Sequence, residues 1–190
     1  MTIVYPDVNL CCELSESTVL NLVIENQRIF SDVIYDIYGQ INGYSGKFVL
    51  SDNNKPLDLK KNVELVTQII PFEVNQRELL NKLYAELKNI SVDENNYQFT
   101  QQLISDISSY VYMLTEGLEN DISIEIPQDI NGLLKAFGVR FKENSAELTD
   151  KIFEYMIAVN KFKGERVFFF VNLRSYLTDK KTELLFKDIV

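Results

Sequence analysis

The chain has 190 residues, a formal net charge of −9, 46% hydrophobic and 25% charged residues, which suits one globular domain or a domain with a modest insertion. It contains no histidine, which excludes the serine and cysteine triads that need an imidazole base and removes the commonest zinc ligand. The two cysteines are adjacent in sequence, and adjacent cysteines rarely form a disulfide with each other. No apolar run is long enough to span a membrane, and the N-terminus does not have the pattern of a secretory signal. We therefore expect a cytoplasmic protein without a membrane partner.

The first third of the chain predicts strands and helices in alternation. Residues 19–24 are apolar and β-branched, which is typical of a buried strand, and residues 26–40 then show helical spacing. A turn-rich segment at 51–55 lies between two short apolar runs and predicts a β-hairpin.

The middle of the chain predicts helices. Helical spacing extends from Val63 to Ser109, with a helix cap expected at Asn75-x-x-Glu78 and an exposed loop at 91–96. Residues 71–130 carry eleven acidic against three basic side chains, a net charge of −8 in a chain whose total is −9. We interpret it as a helical insertion.

The last third returns to alternating elements. Residues 121–126 alternate polar and apolar side chains, which predicts a strand with one wet face. A short helix closing at Gly138, a long helix at 147–162, a buried strand at 167–171 and a final helix capped by Thr178 follow.

This order of elements predicts an α/β fold, with a mostly parallel sheet and flanking helices. The predicted domains are a discontinuous α/β domain at 1–61 and 125–190 and an inserted α-helical domain at 62–124. The first strand-to-helix junction, residues 25–28, contains no glycine and no G-x-x-x-x-G-K-[ST] motif, which argues against a P-loop nucleotidase.

Carboxylates cluster around the alternating segment, at Glu119, Asp121, Glu125 and Asp129. Hard oxygen ligands at such spacing suit calcium. The spacing alone nevertheless favours an amphipathic strand with a solvated acidic face over a metal site.

Three groups of basic residues could contact phosphates. They are Lys55, Lys60 and Lys61; Lys135, Arg140 and Lys142; and Lys161, Lys163 and Arg166. Ordinary solvation of a protein surface explains each group equally well.

Several segments, in their order and spacing, resemble the CRISPR-associated Csn2 family of type II-A systems. The matching segments are Val23-Ile24-Glu25-Asn26 with Ile29-Phe30-Ser31, Glu64-Leu65-Val66-Thr67-Gln68-Ile69, Leu118-Glu119-Asn120, Leu133-Leu134-Lys135-Ala136-Phe137-Gly138-Val139, and Phe170-Val171-Asn172-Leu173 with Tyr176-Leu177-Thr178. The chain departs from the family pattern at Ser123 and Pro127-Gln128, where carboxylates are less dense, and it ends before a further strand and tail.

The resemblance implies a homotetrameric ring with a P-loop-like head that lacks the Walker A motif, a helical domain, and a lysine-lined hole for linear double-stranded DNA. It implies calcium held by Glu119, Asp121, Glu125 and Asp129. It implies DNA contacts by Lys55, Lys60, Lys61, Lys135, Arg140 and Lys142.

The sequence thus leads to a hypothesis of a non-enzymatic protein that binds DNA ends without sequence preference during CRISPR spacer acquisition. The integrase and nuclease proteins of the adaptation complex are its expected partners. Two alternatives remain at this point: a degenerate nucleotide-binding or phosphotransfer α/β enzyme, and an acidic protein–protein adaptor.

Overall fold

The structure, a computed structural model, describes residues 1–15, 18–118, 122–127, 129–143 and 146–189. It divides into two compact units. The first unit comprises Met1–Val74 with Glu143–Val190, and the second comprises Asn75–Lys142. In sequence, the second unit is therefore inserted into the first.

The described elements follow one another as β1 (Thr2–Tyr5), β2 (Leu10–Glu13), α1 (Gln27–Ile41), β3 (Val49–Asp52), β4 (Lys55–Pro56), α2 (Leu59–Asn62), β5 (Val63–Val66), α3 (Arg77–Ser91), α4 (Tyr97–Thr115), α5 (Asn131–Ala136), α6 (Leu148–Lys163), β6 (Val167–Phe170) and α7 (Asp179–Ile189). Two short 3-10 turns lie at Pro6–Val8 and Leu173–Ser175. Helices α3, α4 and α5 belong to the second unit, and the other elements belong to the first.

Two sheets are present among the described strands of the first unit. The larger has the order β2-β1-β3-β4 and is antiparallel throughout, whereas β5 and β6 form a separate parallel pair. Asn53 and Asn54 join β3 to β4 with positive φ angles of 47° and 63°, as a tight hairpin turn requires.

The core of the first unit is a continuous apolar cluster. It consists of Ile3, Tyr5, Val33, Ile37, Phe48, Leu50, Leu59 and Val63. Side chains alternate along β1, which buries Ile3 and Tyr5 in the cluster. On α1, the i, i+4 spacing places Val33 and Ile37 on the same buried face. Phe48 meets Phe169 edge to face, with ring centroids 5.5 Å apart, so the two sheets share this core.

Asp36 of α1 fixes the loop before β3. Its Oδ2 accepts hydrogen bonds from the backbone N–H groups of Lys47 and Phe48, both at 3.0 Å. Gly46 makes this approach possible, because a Cβ at that position would clash with the Asp36 carboxylate.

The second unit is helical in its described elements. Thr100, Ile104 and Ser108 are buried along one face of α4. Between α3 and α4, Asp93 Oδ1 accepts from the backbone N–H groups of Asn95 at 3.0 Å and Asn96 at 2.8 Å, which fixes the turn.

Elements encoded by local signals are confirmed. These are the helix after Asn26, the hairpin around 51–55, the loop at 91–96, the short helix closing at Gly138 with φ +63°, the long helix α6, the strand β6 and the final helix after Thr178. A mixed α/β fold is also confirmed. The predicted domain limits, 1–61 with 125–190 and 62–124, stay predictions, since a division into compact units does not test independent folding.

The prediction of a mostly parallel sheet is wrong for the described strands, because only β5 and β6 run parallel. Residues 19–24 form no strand, although their composition favours one, because no ladder partner lies beside them in the described chain. Residues 63–66 form strand β5 and not the start of a helix. The apolar spacing of this short segment is compatible with both a helix and a strand, and pairing with β6 decides for the strand.

Two further predictions fail in the acidic middle. Residues 122–127 form no strand, and Asp121 lies outside the described residues. Asn75 does not cap α3, whose N-cap is Gln76 without a side-chain hydrogen bond. The Asn75 side chain instead bonds the backbone of Phe141.

Candidate nucleic-acid interface and metal site

Three of the predicted DNA-binding residues lie in the first unit. Lys55 is on β4, and Lys60 and Lys61 are on the single-turn helix α2. All three side chains are exposed, and none forms an ion pair within the described residues. They are therefore available to an anionic partner.

Helix α2 is held at both ends. Asp58 caps its N-terminus, with Oδ1 accepting from the Lys60 N–H at 3.0 Å. At the other end, Arg166 Nη1 donates to the carbonyl oxygens of Lys60 and Val63, both at 3.0 Å. The turn that carries Lys60 and Lys61 thus has a defined orientation.

Arg166 belongs to a buried charge cluster around Glu64 of β5. The Glu64 carboxylate accepts from Tyr155 Oη at 2.6 Å and from Lys163 Nζ at 3.0 and 3.2 Å, and Arg166 Nη1 lies 3.6 Å from its Oε2. The side chains of Glu64, Lys163 and Arg166 are only 13%, 4% and 12% exposed. We call these four residues the Glu64 cluster.

The Glu64 cluster changes the interpretation of one basic group. Lys163 and Arg166 had been considered for phosphate contact, but both are buried against a carboxylate, and only Lys161 of that group is exposed. A charged residue inside the apolar run of β5 was the available signal for this cluster. Its partners lie about a hundred residues away in sequence, so no local pattern indicates them.

The other three predicted DNA-binding residues lie in the second unit. Lys135 is in the last turn of α5, and Arg140 and Lys142 are on the irregular segment after Gly138. All three side chains are exposed.

The segment that carries Arg140 and Lys142 is fixed by two side chains. Asn75 pairs with the backbone of Phe141 in both directions, donating to its carbonyl at 3.1 Å and accepting from its N–H at 2.9 Å. Tyr84 Oη donates to the carbonyl of Val139 at 2.9 Å. Along this segment Val139 and Phe141 are half-buried, whereas Arg140 and Lys142 are exposed.

The predicted calcium ligands are only partly within the described chain. Glu119 and Asp121 lie outside the described residues, and Glu125 is exposed. Asp129 Oδ2 accepts from Lys88 Nζ at 2.7 Å, and its Oδ1 accepts from the Asn131 N–H at 2.9 Å. The Lys88 ammonium and then this backbone hydrogen bond hold the pKa of Asp129 below its usual value.

One observation beside Asp129 suits a hard cation. Asn131 Oδ1 is buried without a hydrogen-bond partner, so an amide oxygen and a carboxylate are both available there. In the part of the chain that the structure describes, no three acidic or cysteine side chains are grouped closely enough to hold a metal. Asp129 and Asn131 offer oxygen atoms of the kind that calcium binds, but Lys88 already neutralises the Asp129 carboxylate.

The described helices include none that combines the length and hydropathy needed to cross a membrane.

The chain is similar to known CRISPR proteins. The family model described as "CRISPR-associated protein (Cas_Csn2)" matches residues 40–190. The "CRISPR-associated protein Csn2" of Streptococcus agalactiae is 26% identical over 167 residues, which cover 87% of this chain and 73% of that relative. The match includes β5, β6 and the residues of the Glu64 cluster, and it shows that the chain belongs to the CRISPR-associated Csn2 family.

Proposed function

We propose that the chain is a cytoplasmic, non-enzymatic protein that binds the ends of double-stranded DNA during CRISPR spacer acquisition, as a calcium-stabilised homotetrameric ring. Membership of the Csn2 family supports the CRISPR role. The observation that carries the DNA-binding part is the exposure of Lys60 and Lys61 on a turn that buried residues hold in place.

Binding of this kind needs no base recognition. Flexible lysine ammonium groups contact phosphates as point charges, which carry no sequence information. Lys55, Lys60 and Lys61 in the first unit and Lys135, Arg140 and Lys142 in the second are suited to such contacts because they are exposed.

The net charge of −9 is compatible with this proposal. Attraction of an anionic polymer depends on the local field near the binding surface and not on the sum over the molecule. Gathering basic side chains from several subunits around a hole would produce such a field.

An exposed apolar face on α4 supports self-association. It consists of Phe99, Tyr110, Met113 and Leu114. These residues share one side of the helix with Asp106, the only charged residue of α4, so a second copy that packs on this face must leave that carboxylate in water or place a basic side chain against it.

Calcium is the proposed cation, held by Glu119, Asp121, Glu125 and Asp129. Among the described residues, Glu125, Asp129 and the buried Asn131 Oδ1 would contribute oxygen ligands, and calcium would neutralise the carboxylates of the acidic middle. The integrase and nuclease proteins of the adaptation complex are the proposed protein partners.

The test is a titration of the full chain with a linear duplex and with closed circular DNA at about 50 and 200 mM salt. We expect binding to the linear duplex alone, with a marked loss of affinity at the higher salt. Lys60→Gln with Lys61→Gln should lower the slope of log affinity against log salt by about 1 to 2, because each lost phosphate contact contributes about 0.9.

The matched control is Lys180→Gln with Lys187→Gln, which removes the same charge from exposed positions on α7 and should leave the slope nearly unchanged. Equal affinity for both DNA forms or an absent salt dependence would refute threading of DNA ends. Binding of ATP with magnesium in place of DNA would favour the nucleotide-binding enzyme, and binding of neither would favour the adaptor.

Assembly is tested by sedimentation with and without calcium. Met113→Glu should shift the particle to a smaller mass, because it adds a charge to the apolar face of α4. The control Gln101→Glu adds the same charge on another side of the helix and should leave the mass unchanged. An unchanged mass for Met113→Glu would exclude this face from the assembly.

A further inference from the structure

Helix α2 has too few residues to be stable alone. It is a single turn of four residues, and forming an isolated turn costs more conformational entropy than its hydrogen bonds return. The side chains of Leu59 and Val63 anchor it to the core on one side. The exposed side of α2, which carries Lys60 and Lys61, is held by Arg166 of the Glu64 cluster.

Arg166 ties the C-terminal end of α2 to the first unit. The last carbonyl groups of a helix have no partner within the helix, and Lys60 O is one of them. The two N–H bonds of Arg166 Nη1 are shared between Lys60 O and Val63 O, each at 3.0 Å. One planar group thereby joins the lysine turn to the beginning of β5.

Glu64 in turn holds Arg166. Its carboxylate lies 3.6 Å from Arg166 Nη1 and is itself oriented by Tyr155 and Lys163 of α6. Removing such charges from water is costly, and an apolar cluster of the same volume would stabilise the fold as well or better. The cluster is therefore better explained by orientation of the guanidinium than by stability.

The side chain of Arg166 is poorly placed to contact DNA directly. Its side chain is 12% exposed, and Nη1 is occupied by two carbonyl groups and a carboxylate. Its effect on an anionic ligand must pass through the residues that it orients.

We infer that Arg166, oriented by Glu64, is a positioning residue that holds Lys60 and Lys61 for contact with DNA phosphates. The inference rests on the proposed function and adds to it a buried residue that never touches the ligand. It explains why a basic residue is buried beside an exposed basic pair.

The experiment is a double-mutant cycle in the full chain. Affinity for a linear duplex is measured for the original chain, for Arg166→Gln, for Lys60→Gln with Lys61→Gln, and for all three changes together. We expect Arg166→Gln to weaken binding roughly three- to tenfold, comparable with the loss of one positioned phosphate contact. In the chain that already lacks Lys60 and Lys61, the same change should have no further effect.

Leu185→Ala is the control for loss of stability. It removes a buried side chain of α7 outside the Glu64 cluster, so it should lower the melting temperature and leave DNA affinity nearly unchanged. Arg166→Lys keeps the positive charge and a hydrogen-bond donor on a shorter side chain. It should retain part of the DNA affinity of the original chain, and it keeps the inference testable if Arg166→Gln does not fold. Amide exchange at Lys61–Val63 should be faster in both Arg166 variants.

The outcomes separate two failures. If the original chain binds linear duplex DNA and Arg166→Gln weakens binding by the same factor with and without Lys60 and Lys61, positioning is refuted and the proposed function stands. If Leu185→Ala weakens binding as much as Arg166→Gln, Arg166 acts only through stability. If the original chain does not bind duplex DNA, the proposed function fails and the inference fails with it.

Discussion

Each unit contains a carboxylate that ties distant segments together, and the two differ in how far they are removed from water. Glu64 in the first unit is 13% exposed beside a lysine that is 4% exposed, whereas Asp129 in the second is 28% exposed beside a lysine that is 45% exposed. In both units a lysine Nζ approaches the carboxylate to 3.0 Å or less. The distance between lysine and carboxylate therefore does not distinguish the strengths of the two ion pairs.

Burial separates them in energy. A buried carboxylate that loses its charge leaves its cations without compensation in a medium of low dielectric constant. A half-exposed pair exchanges its partner for water at little cost. The first pair is therefore suited to fixing structure, and the second to exchanging one cation for another.

The largest expected effect is at Glu64. Glu64→Gln keeps the shape but leaves Lys163 and Arg166 facing a neutral amide, so we expect the free energy of unfolding to fall by about 3–5 kcal/mol. Asp129→Asn is the matched change in the second unit and should cost less than about 1 kcal/mol. Urea unfolding measures both, and equal losses would show that burial does not distinguish the two pairs.

Replacing a glycine by alanine should have opposite effects on stability in the two units. Gly46→Ala places a Cβ against the Asp36 carboxylate and should destabilise the first unit by about 1–3 kcal/mol. Gly132→Ala in α5 meets nothing within 4 Å and should stabilise that helix by up to about 1 kcal/mol. Melting temperatures of the two variants should shift in opposite directions, and a rise for Gly46→Ala would mean that the loop does not approach Asp36 closely.

A third comparison concerns the segment that carries Arg140 and Lys142. Asn75→Ala removes both hydrogen bonds to Phe141, which should cost about 1–3 kcal/mol and weaken DNA binding by loosening that segment. Asn89→Ala, at an exposed position of α3, is the control and should change neither stability nor binding appreciably. Unfolding and DNA titration measure the two effects, and unchanged DNA affinity in Asn75→Ala would remove Arg140 and Lys142 from the interface.

The smallest expected effect is the pH dependence of the Lys88–Asp129 pair. The pKa of Asp129 is lower in the folded chain than its ordinary value of 3.8, mainly because of Lys88. The pair therefore stabilises the fold above that value, and this contribution is lost as pH falls through the folded pKa. The difference in melting temperature between the original chain and Asp129→Asn should begin to shrink near the ordinary pKa of 3.8 and disappear as the pH falls through the lower folded pKa, and a difference that grows there would contradict the assignment.

The sequence predicts those elements whose signals lie within a few residues. Helix α6 has its apolar spacing, the β3–β4 hairpin its turn residues, and α7 its Thr178 cap. The antiparallel sheet could not be predicted in this way, because β1 and β2 are four residues each and carry little periodicity. Pairing of β5 with β6 joins residues about a hundred positions apart, which no local pattern encodes.

The candidate site divides along the same line. Exposure of Lys60 and Lys61 follows from their lysine chemistry and position after a hairpin, and the structure agrees. For Arg166 and Lys163 the sequence leaves phosphate contact and ordinary solvation open, both of which imply exposure, and only the distant Glu64 explains their burial. Lys88 beside Asp129 was likewise missed, since the two are separated by 41 residues.

The tie between Arg166 and the carbonyl of Lys60 spans 106 residues of chain. During synthesis, a ribosome would have released Lys60 from its exit tunnel long before residue 166 was even translated. Until Arg166 emerges, the nascent polypeptide therefore carries its lysine turn without this tie. Under the proposed function, an unfinished chain would bind nucleic acid more weakly than one in which the tie has formed.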